Sequence, residues 1–205
     1  TTHRAGDTRT AEMTDGMLRF HISPERDGDA EGIEPLLDRT FGDARRQKTV
    51  YRLREGIRPV PQLCFVATDD HGEMLASLRF WPIRVDGQGE PPADGPQAIL
   101  LGPLAVEPKQ QGRGIGRALI RQGLDTARRM PVELCVVVGE PAYYQPYGFV
   151  PATPQGLILP GPVEPRRFQV LELKPGALEG VRGRIHADPR YAQQAATAGR
   201  PLRRA

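Results

Sequence analysis

Three glycines separated by single residues, Gly112, Gly114 and Gly116, lie between a continuous apolar run and a strongly amphipathic helical pattern. The apolar run, from Ile99 to Val106, is typical of a strand covered on both faces. Without Cβ atoms, a chain can bend tightly and point successive N–H groups into one concavity. The N-terminus of the following helix adds unpaired donors and about half a positive charge at the same place. The turn is therefore predicted to bind a phosphate or a pyrophosphate.

The spacing of the glycines excludes two common phosphate-binding motifs. There is no Gly-x-x-x-x-Gly-Lys-Ser/Thr loop and no Gly-x-Gly-x-x-Gly/Ala fingerprint. The pattern Gln/Arg-x-x-Gly-x-Gly/Ala is satisfied by Gln111, Gly114 and Gly116, and here the chain resembles the GNAT superfamily of N-acetyltransferases. The resemblance implies that the pyrophosphate of acetyl-CoA contacts Gln111, Gly112, Arg113, Gly114, Ile115, Gly116 and Arg117. Taken alone, the glycine cluster is equally compatible with a flexible turn between a strand and a helix.

A second motif follows the next apolar run, Val132 to Val138, and begins at Pro141. It places Tyr144 four residues before a Gly-Phe pair, which resembles the family segment that carries a catalytic tyrosine. The resemblance implies that Tyr144 donates a proton to the departing coenzyme A thiolate. A phenol can do this because its ordinary pKa of about 10 lies above that of a free thiol, about 8.5. For Tyr147 and Phe149, the commoner role of an aromatic core patch is favoured.

The Gly102-Pro103 pair in the first apolar run conflicts with an ordinary central strand, because proline cannot donate to a ladder. In the GNAT fold the corresponding strand is bulged and splays from its neighbour to admit the pantetheine arm. The resemblance therefore implies that freed backbone groups of Leu104, Ala105 and Val106 bind pantetheine and the thioester carbonyl.

The order of the remaining patterns predicts an α/β fold with a twisted mixed sheet, helices on both faces and a splayed strand pair. Helices are expected at Asp29 to Phe41 and at Asp43 to Glu55, the second with a solvated basic face. Residues 1–16 are expected to form a disordered or loosely attached tail, 17–186 a single acetyltransferase domain, and 187–205 a polar tail.

Composition narrows the function classes. The net charge is +3 with both signs mixed along the chain, so no basic stripe indicates nucleic acid binding. No stretch has the length and apolarity of a membrane span or a signal peptide, and the four histidines are too scattered to suggest a metal site. Both cysteines lie in apolar runs, which predicts buried free thiols. Free thiols are typical of a reducing compartment, so the expected location of the protein is the bacterial cytoplasm.

The predicted function is acetyl transfer from acetyl-CoA to a primary amine, directly and within a ternary complex. The alternative is a non-catalytic acyl-CoA binding or sensing domain, which would keep the glycine loop and need no Tyr144. Glu107 is the nearest candidate base, but its position before Pro108 also suits a strand end, so it is not assigned. The sequence leaves the acceptor amine and the oligomeric state open, a homodimer being one option.

Overall fold

A ten-stranded mixed sheet forms the centre of the computed structural model, which describes residues 9–10 and 19–193. Its strands are β1 (Arg9–Thr10), β2 (His21–Pro24), β3 (Phe65–Thr68), β4 (Met74–Val85), β5 (Ala98–Val106), β6 (Leu134–Val138), β7 (Val150–Pro151), β8 (Leu157–Ile158), β9 (Phe168–Glu172) and β10 (Gly183–Ala187). The helices are α1 (Ala30–Phe41), α2 (Ile115–Arg128) and the short α3 (Pro141–Tyr144). The strand order is β1-β2-β3-β4-β5-β6-β9-β7, with β10 paired to β4 and β8 paired to β10.

β5 and β6 run parallel but share only a short ladder. Their pairing covers residues 98–100 of β5 and 134–136 of β6. Beyond it, β5 continues to Val106 and β6 to Val138 without further pairing between them. The two strands therefore splay, as predicted, and one edge of β5 from residue 101 onward faces an opening instead of a neighbouring strand.

The bulge predicted at Gly102-Pro103 is also confirmed. Where β5 pairs with β4, Leu78 lies opposite Leu104 and Phe80 lies opposite Leu101. β5 therefore has one residue more than β4 in this stretch, which is a β-bulge. Proline fits this place because the bulge leaves a residue outside the ladder, where no N–H donor is required.

Helices cover the two faces of the sheet. On one face, Leu119 and Ile120 of α2 lie in the same core cluster as Leu78 and Phe80 of β4. On the other face, Ile33, Leu36 and Leu37 of α1 cluster with Val66 and Ala105. The alternation of β5 explains this division, because Leu104 and Val106 contact the α2 side while Ala105 points toward α1. The predicted arrangement of helices on both faces is confirmed.

The second predicted helix, from Asp43 to Glu55, is wrong. The structure has two short 3-10 helices instead, Asp43–Gln47 and Thr49–Leu53, separated by an extended Lys48. Arg45 is 4% exposed and binds Glu34 and Asp38 of α1. The predicted solvated basic face is therefore also incorrect at Arg45, because this side chain is buried against α1. The same contacts bend the segment away from a single straight helix.

The ends of the chain are only partly described. Within the predicted N-terminal tail, β1 pairs with residues 21–22 of β2, and the other residues up to 18 lie outside the described range. After β10, Asp188 is fully buried and binds Arg190, and the Gln193 amide donates to the Gly56 carbonyl at 2.7 Å. Residues 194–205 lie outside the described range, and the domain boundaries at 17 and 186 stay predictions.

Candidate functional site

A cavity of about 430 Å³ lies at the N-terminus of α2; we call it the α2 cavity. The end of α1 contributes Thr40 and Phe41, while β5 contributes Leu104 and Val106. The glycine turn and the first residues of α2 close the remaining side. The cavity thus brings together segments from three parts of the chain.

The glycine turn presents backbone donors to this cavity. Gly112 and Gly114 have φ values of +78° and +85°, in the left-handed region that only glycine adopts readily. The first hydrogen bond of α2 runs from the Ala118 amide to the Gly114 carbonyl at 3.0 Å. The amides of residues 115–117 precede that bond and have no backbone acceptor among the described residues. Such amides form a site for an anion.

Close packing fixes the relation between α2 and α3. A Cβ atom on Gly116 would lie 2.6 Å from the hydroxyl oxygen of Tyr143 and 3.4 Å from side-chain carbons of Leu104 and Val106. Only glycine therefore admits Tyr143 at the start of α2. Sequence reasoning assigned no role to Tyr143 beyond a possible core patch, yet its side chain lines the α2 cavity.

The structure places most of the predicted coenzyme-binding residues around one space. The α2 cavity is lined by Leu104, Val106, Gln111, Gly112, Gly114, Ile115, Gly116 and Arg117. Two residues of the predicted set are not among its lining. Ala105 is fully buried in the cluster with α1, and Arg113 is exposed on the turn. Gln110, which was not among the predicted residues, also lines the cavity. Its own side-chain amide oxygen is buried and has no hydrogen-bond partner among the described residues.

A second cavity, of about 320 Å³, occupies the opening between β5 and β6; we call it the splay cavity. Its walls include Gly102 and Pro103 of the bulge, the end of β6, and Tyr144. Phe41, Leu104 and Tyr143 line both this cavity and the α2 cavity. The two spaces therefore adjoin, and a long ligand anchored at α2 can extend between the strands.

Tyr144 is held firmly in the splay cavity. It is 9% exposed, and its ring makes edge contacts with Tyr143 and Phe149 at centroid distances of 5.2 and 5.7 Å. A Cβ atom on Gly139 would lie 2.2 Å from Cε2 of this ring, so glycine is required beside it. Burial raises the pKa of Tyr144 well above its usual value. The phenol is therefore protonated at neutral pH and can act as a proton donor.

A third cavity, of about 500 Å³, opens on the other side of the bulge; we call it the arginine cavity. Tyr51, Arg54 and Pro103 line both it and the splay cavity, so the three cavities adjoin in series; we call this series the passage. Trp81 of β4 forms part of its wall and donates from Nε1 to the Gly102 carbonyl at 2.7 Å. The passage runs from the N-terminus of α2 to the arginine cavity, and Tyr144 lies between these two ends.

Glu107 does not serve this passage. Its carboxylate accepts hydrogen bonds from Nε and Nη2 of Arg39 at 3.2 and 3.0 Å, and it lines none of the three cavities. Its contact with Arg39 ties the end of β5 to α1, which supports a structural role for this residue.

Three further features concern metals, membranes and cysteines. Within the described part of the chain, no three His, Cys, Asp or Glu side chains are grouped closely enough to hold a metal ion. None of the helices described is both long and apolar enough to cross a membrane. Both cysteines are free and buried, as the sequence predicted.

Comparison with known families accounts for this arrangement. A family model described as the acetyltransferase (GNAT) family matches residues 30–149, a range that runs from α1 to Phe149. The chain belongs to the GNAT acetyltransferase family. The matched range contains the glycine turn, the splayed strands and Tyr144, so the GNAT features lie on the elements that form the passage.

Two relatives from Escherichia coli K12 extend the match. The chain is 36% identical to the uncharacterized N-acetyltransferase YhbS over 157 residues, covering 77% of this chain and 89% of that protein. It is 34% identical to the uncharacterized N-acetyltransferase YjhQ over 152 residues, covering 74% of this chain and 80% of that protein.

Solved structures agree with these sequence matches. The crystal structure of E. coli YhbS in complex with CoA has a TM-score of 0.71 at 34% identity, covering 88% of this chain and 96% of that one. A GNAT acetyltransferase from Brucella melitensis in complex with acetyl-CoA has a TM-score of 0.59 at 26% identity, covering 82% and 96%. The predicted family and fold are therefore confirmed.

Proposed function

We propose that this protein is an N-acetyltransferase that transfers the acetyl group of acetyl-CoA directly to a primary amine in a ternary complex. The observation that carries the proposal is the row of three adjoining cavities from the open amides of α2, past Tyr144, to the arginine cavity. A donor and an acceptor can enter such a passage from opposite ends and meet between β5 and β6.

The donor would bind in the α2 and splay cavities. Its pyrophosphate would accept hydrogen bonds from the amides of residues 112–117, where the helix dipole favours negative charge. Its pantetheine arm would lie along the unpaired edge of β5, near Leu104 and Val106. Binding of CoA and acetyl-CoA by the YhbS and Brucella proteins supports this placement.

The transfer itself needs little from the protein beyond position and a proton. The amine nitrogen would form a bond to the thioester carbonyl carbon, and an amide N–H of β5 would stabilise the oxyanion, an effect of about 3 kcal/mol per donor elsewhere. The carbon–sulfur bond would then break as Tyr144 protonates the thiolate. The attacking nitrogen loses one proton, which returns to the Tyr144 oxygen and replaces the one given to sulfur, so the products are the N-acetylated amine and the free thiol.

Calorimetric titration with acetyl-CoA tests the donor site. We expect the wild-type protein to bind and Gly114→Glu to lose binding, because the new carboxylate would occupy the concavity that holds the pyrophosphate. Gly114→Ala is the matched control, since it imposes the same backbone strain at φ +85° without a charge. Absence of binding to folded wild-type protein would remove acetyl-CoA as the donor.

Release of free thiol in the presence of amines tests catalysis. We expect Tyr144→Phe to lower kcat by about 10²-fold or more with little change in acetyl-CoA affinity, as for removal of a general acid. Tyr147→Phe is the matched control because Tyr147 lies three residues away and lines none of the three cavities. A protein that binds acetyl-CoA and releases no thiol with any amine would instead be a binding or sensing domain.

A further inference from the structure

Arg54 lies at the junction of the splay and arginine cavities. Its guanidinium carbon is 5.7 Å from the ring centroid of Tyr51 and 5.9 Å from that of Trp81. A Cβ atom on Gly102 would lie 3.1 Å from its Nη2, so the side chain packs directly against the bulge of β5. Its Nε is buried without a hydrogen-bond partner in the described structure. The guanidinium is thus fixed in place by aromatic rings and by backbone packing.

Three of the basic side chains around Arg54 have partners, whereas Arg46, Lys48 and Arg167, which also line the two cavities, are exposed to solvent. Arg79 binds Glu25 at 2.6 Å, Arg45 binds Glu34 at 2.9 Å, and Arg52 donates to the Pro160 carbonyl at 2.9 Å. No carboxylate of residues 19–193 forms an ion pair with Arg54.

Burial lowers the pKa of Arg54 to about 10, so it still carries its charge at neutral pH. A desolvated cation without a counter-ion is unfavourable unless a ligand supplies one.

We infer that the acetyl acceptor is a free amino acid whose carboxylate pairs with Arg54 while its amine faces the thioester. This inference deepens the proposed function and depends on it. A guanidinium binds a carboxylate through two parallel hydrogen bonds, which fixes orientation as well as charge. Arg54 can therefore serve as the anchor that turns the amine toward the splay cavity.

The position of Arg54 limits the separation of the two groups on the acceptor. Arg54 packs against Gly102, and Leu104, beside which the pantetheine arm is proposed to lie, is two residues further along β5. An α- or β-amino acid, in which one or two carbons separate amine and carboxylate, suits so short a span.

The fluorescence of Trp81 tests this inference without relying on turnover. Trp81 is the single tryptophan of the 205-residue sequence, and it lines the arginine cavity. The wild-type protein, saturated with CoA, would be titrated with the twenty proteinogenic amino acids and β-alanine, and then with the carboxamide of each one that binds. We expect at least one amino acid to change the emission and its carboxamide to bind about tenfold more weakly or worse.

Two variants locate the carboxylate. Arg54→Gln is expected to weaken the best amino acid about tenfold or more, whereas Arg54→Lys keeps part of the affinity by retaining the charge. Arg46→Gln is the matched control, because Arg46 lines the same cavity but is exposed. CoA titration of each variant verifies that it is folded.

Three results would overturn the inference: no amino acid binds, acid and carboxamide bind equally, or Arg46→Gln weakens binding while Arg54→Gln does not. Each is distinct from failure of the proposed function, which appears as loss of acetyl-CoA binding or of acetyl transfer. Suppose that acetyl-CoA binds, and that amines without a carboxylate are acetylated as efficiently as amino acids. The proposed acetyltransferase activity is then supported, and the proposed role of Arg54 is refuted.

Discussion

Replacing Gly139 by alanine should displace the proposed acid, Tyr144, without removing it. A Cβ atom on Gly139 would lie 2.2 Å from Cε2 of Tyr144, about 1.2 Å short of the 3.4 Å at which ordinary contact begins. The backbone of Gly139 is not in the left-handed region, so alanine meets no conformational penalty there. The ring cannot yield freely, because Tyr143 and Phe149 hold it on either side. Alanine at this position therefore forces Tyr144 to shift against these neighbours.

Two effects of Gly139→Ala follow from that displacement. Overpacking of a core ring costs about 1–3 kcal/mol, so the free energy of unfolding should fall by that amount in urea titrations. Moving a catalytic group by about 1 Å can cost 10²-fold, or about 2.7 kcal/mol in the barrier, so kcat for thiol release should fall by a similar factor. Acetyl-CoA affinity should fall less than kcat, because Gly139 lines the splay cavity but not the α2 cavity, where the pyrophosphate is proposed to bind.

A double-mutant cycle with Tyr144→Phe separates these effects. Phenylalanine keeps the ring and therefore the clash, so Gly139→Ala should cost the same stability in either background. The catalytic loss should not repeat, because the hydroxyl that it misplaces is already gone. If Gly139→Ala lowers kcat by the same factor in the Tyr144→Phe background, its effect does not act through the hydroxyl and the reasoning is refuted.

Three other perturbations test the packing and electrostatics of the site. Burial raises the pKa of Tyr144 above its usual 10.0, so the folded state holds this proton more tightly than the unfolded state. The free energy of unfolding should therefore fall as pH rises above about 10, and it should fall less steeply in Tyr144→Phe. Equal pH dependence in the two proteins would contradict this reasoning. Gly116→Ala should lower Tm, because the new methyl group conflicts with the Tyr143 hydroxyl. Adding Tyr143→Phe should restore part of the loss. An unchanged Tm in Gly116→Ala would show that the contact is not tight. Arg45→Gln should cost about 1–2 kcal/mol in chemical unfolding, because it removes charged hydrogen bonds between a buried guanidinium and half-exposed carboxylates. The exposed Arg46→Gln should stay within about 0.5 kcal/mol, and similar losses would contradict this difference.

The part of the passage around the α2 cavity was predictable because its signals are local. An apolar run, a glycine turn and an amphipathic helix are adjacent in the chain, and each fixes its own conformation. The sequence thus placed a helix start at Ile115, where α2 begins. The conflict at Gly102-Pro103 was equally informative, since a proline inside a strand pattern marks the bulge that the structure contains.

The part of the passage around the arginine cavity was not predictable in the same way. The segment from Asp43 to Glu55 has helical spacing, but the burial of Arg45 against α1 and the extended Lys48 divide it into two short turns. That division is a tertiary effect, and periodicity within the segment does not reveal it. Arg54 consequently faces the cavities, although the pattern assigned it to a solvated face.

The three side chains that define the passage share one structural feature. Tyr143, Tyr144 and Arg54 each lie against a glycine whose Cβ atom would approach them to between 2.2 and 3.1 Å. Those glycines lie on three different elements: the start of α2, the residue after β6, and the bulge of β5. The sequence shows the glycines but not their partners, because each contact joins residues distant in the chain. The absence of a Cβ atom at these points sets how deeply each side chain enters the passage, so substitutions there should change catalysis and acceptor choice before they change the fold.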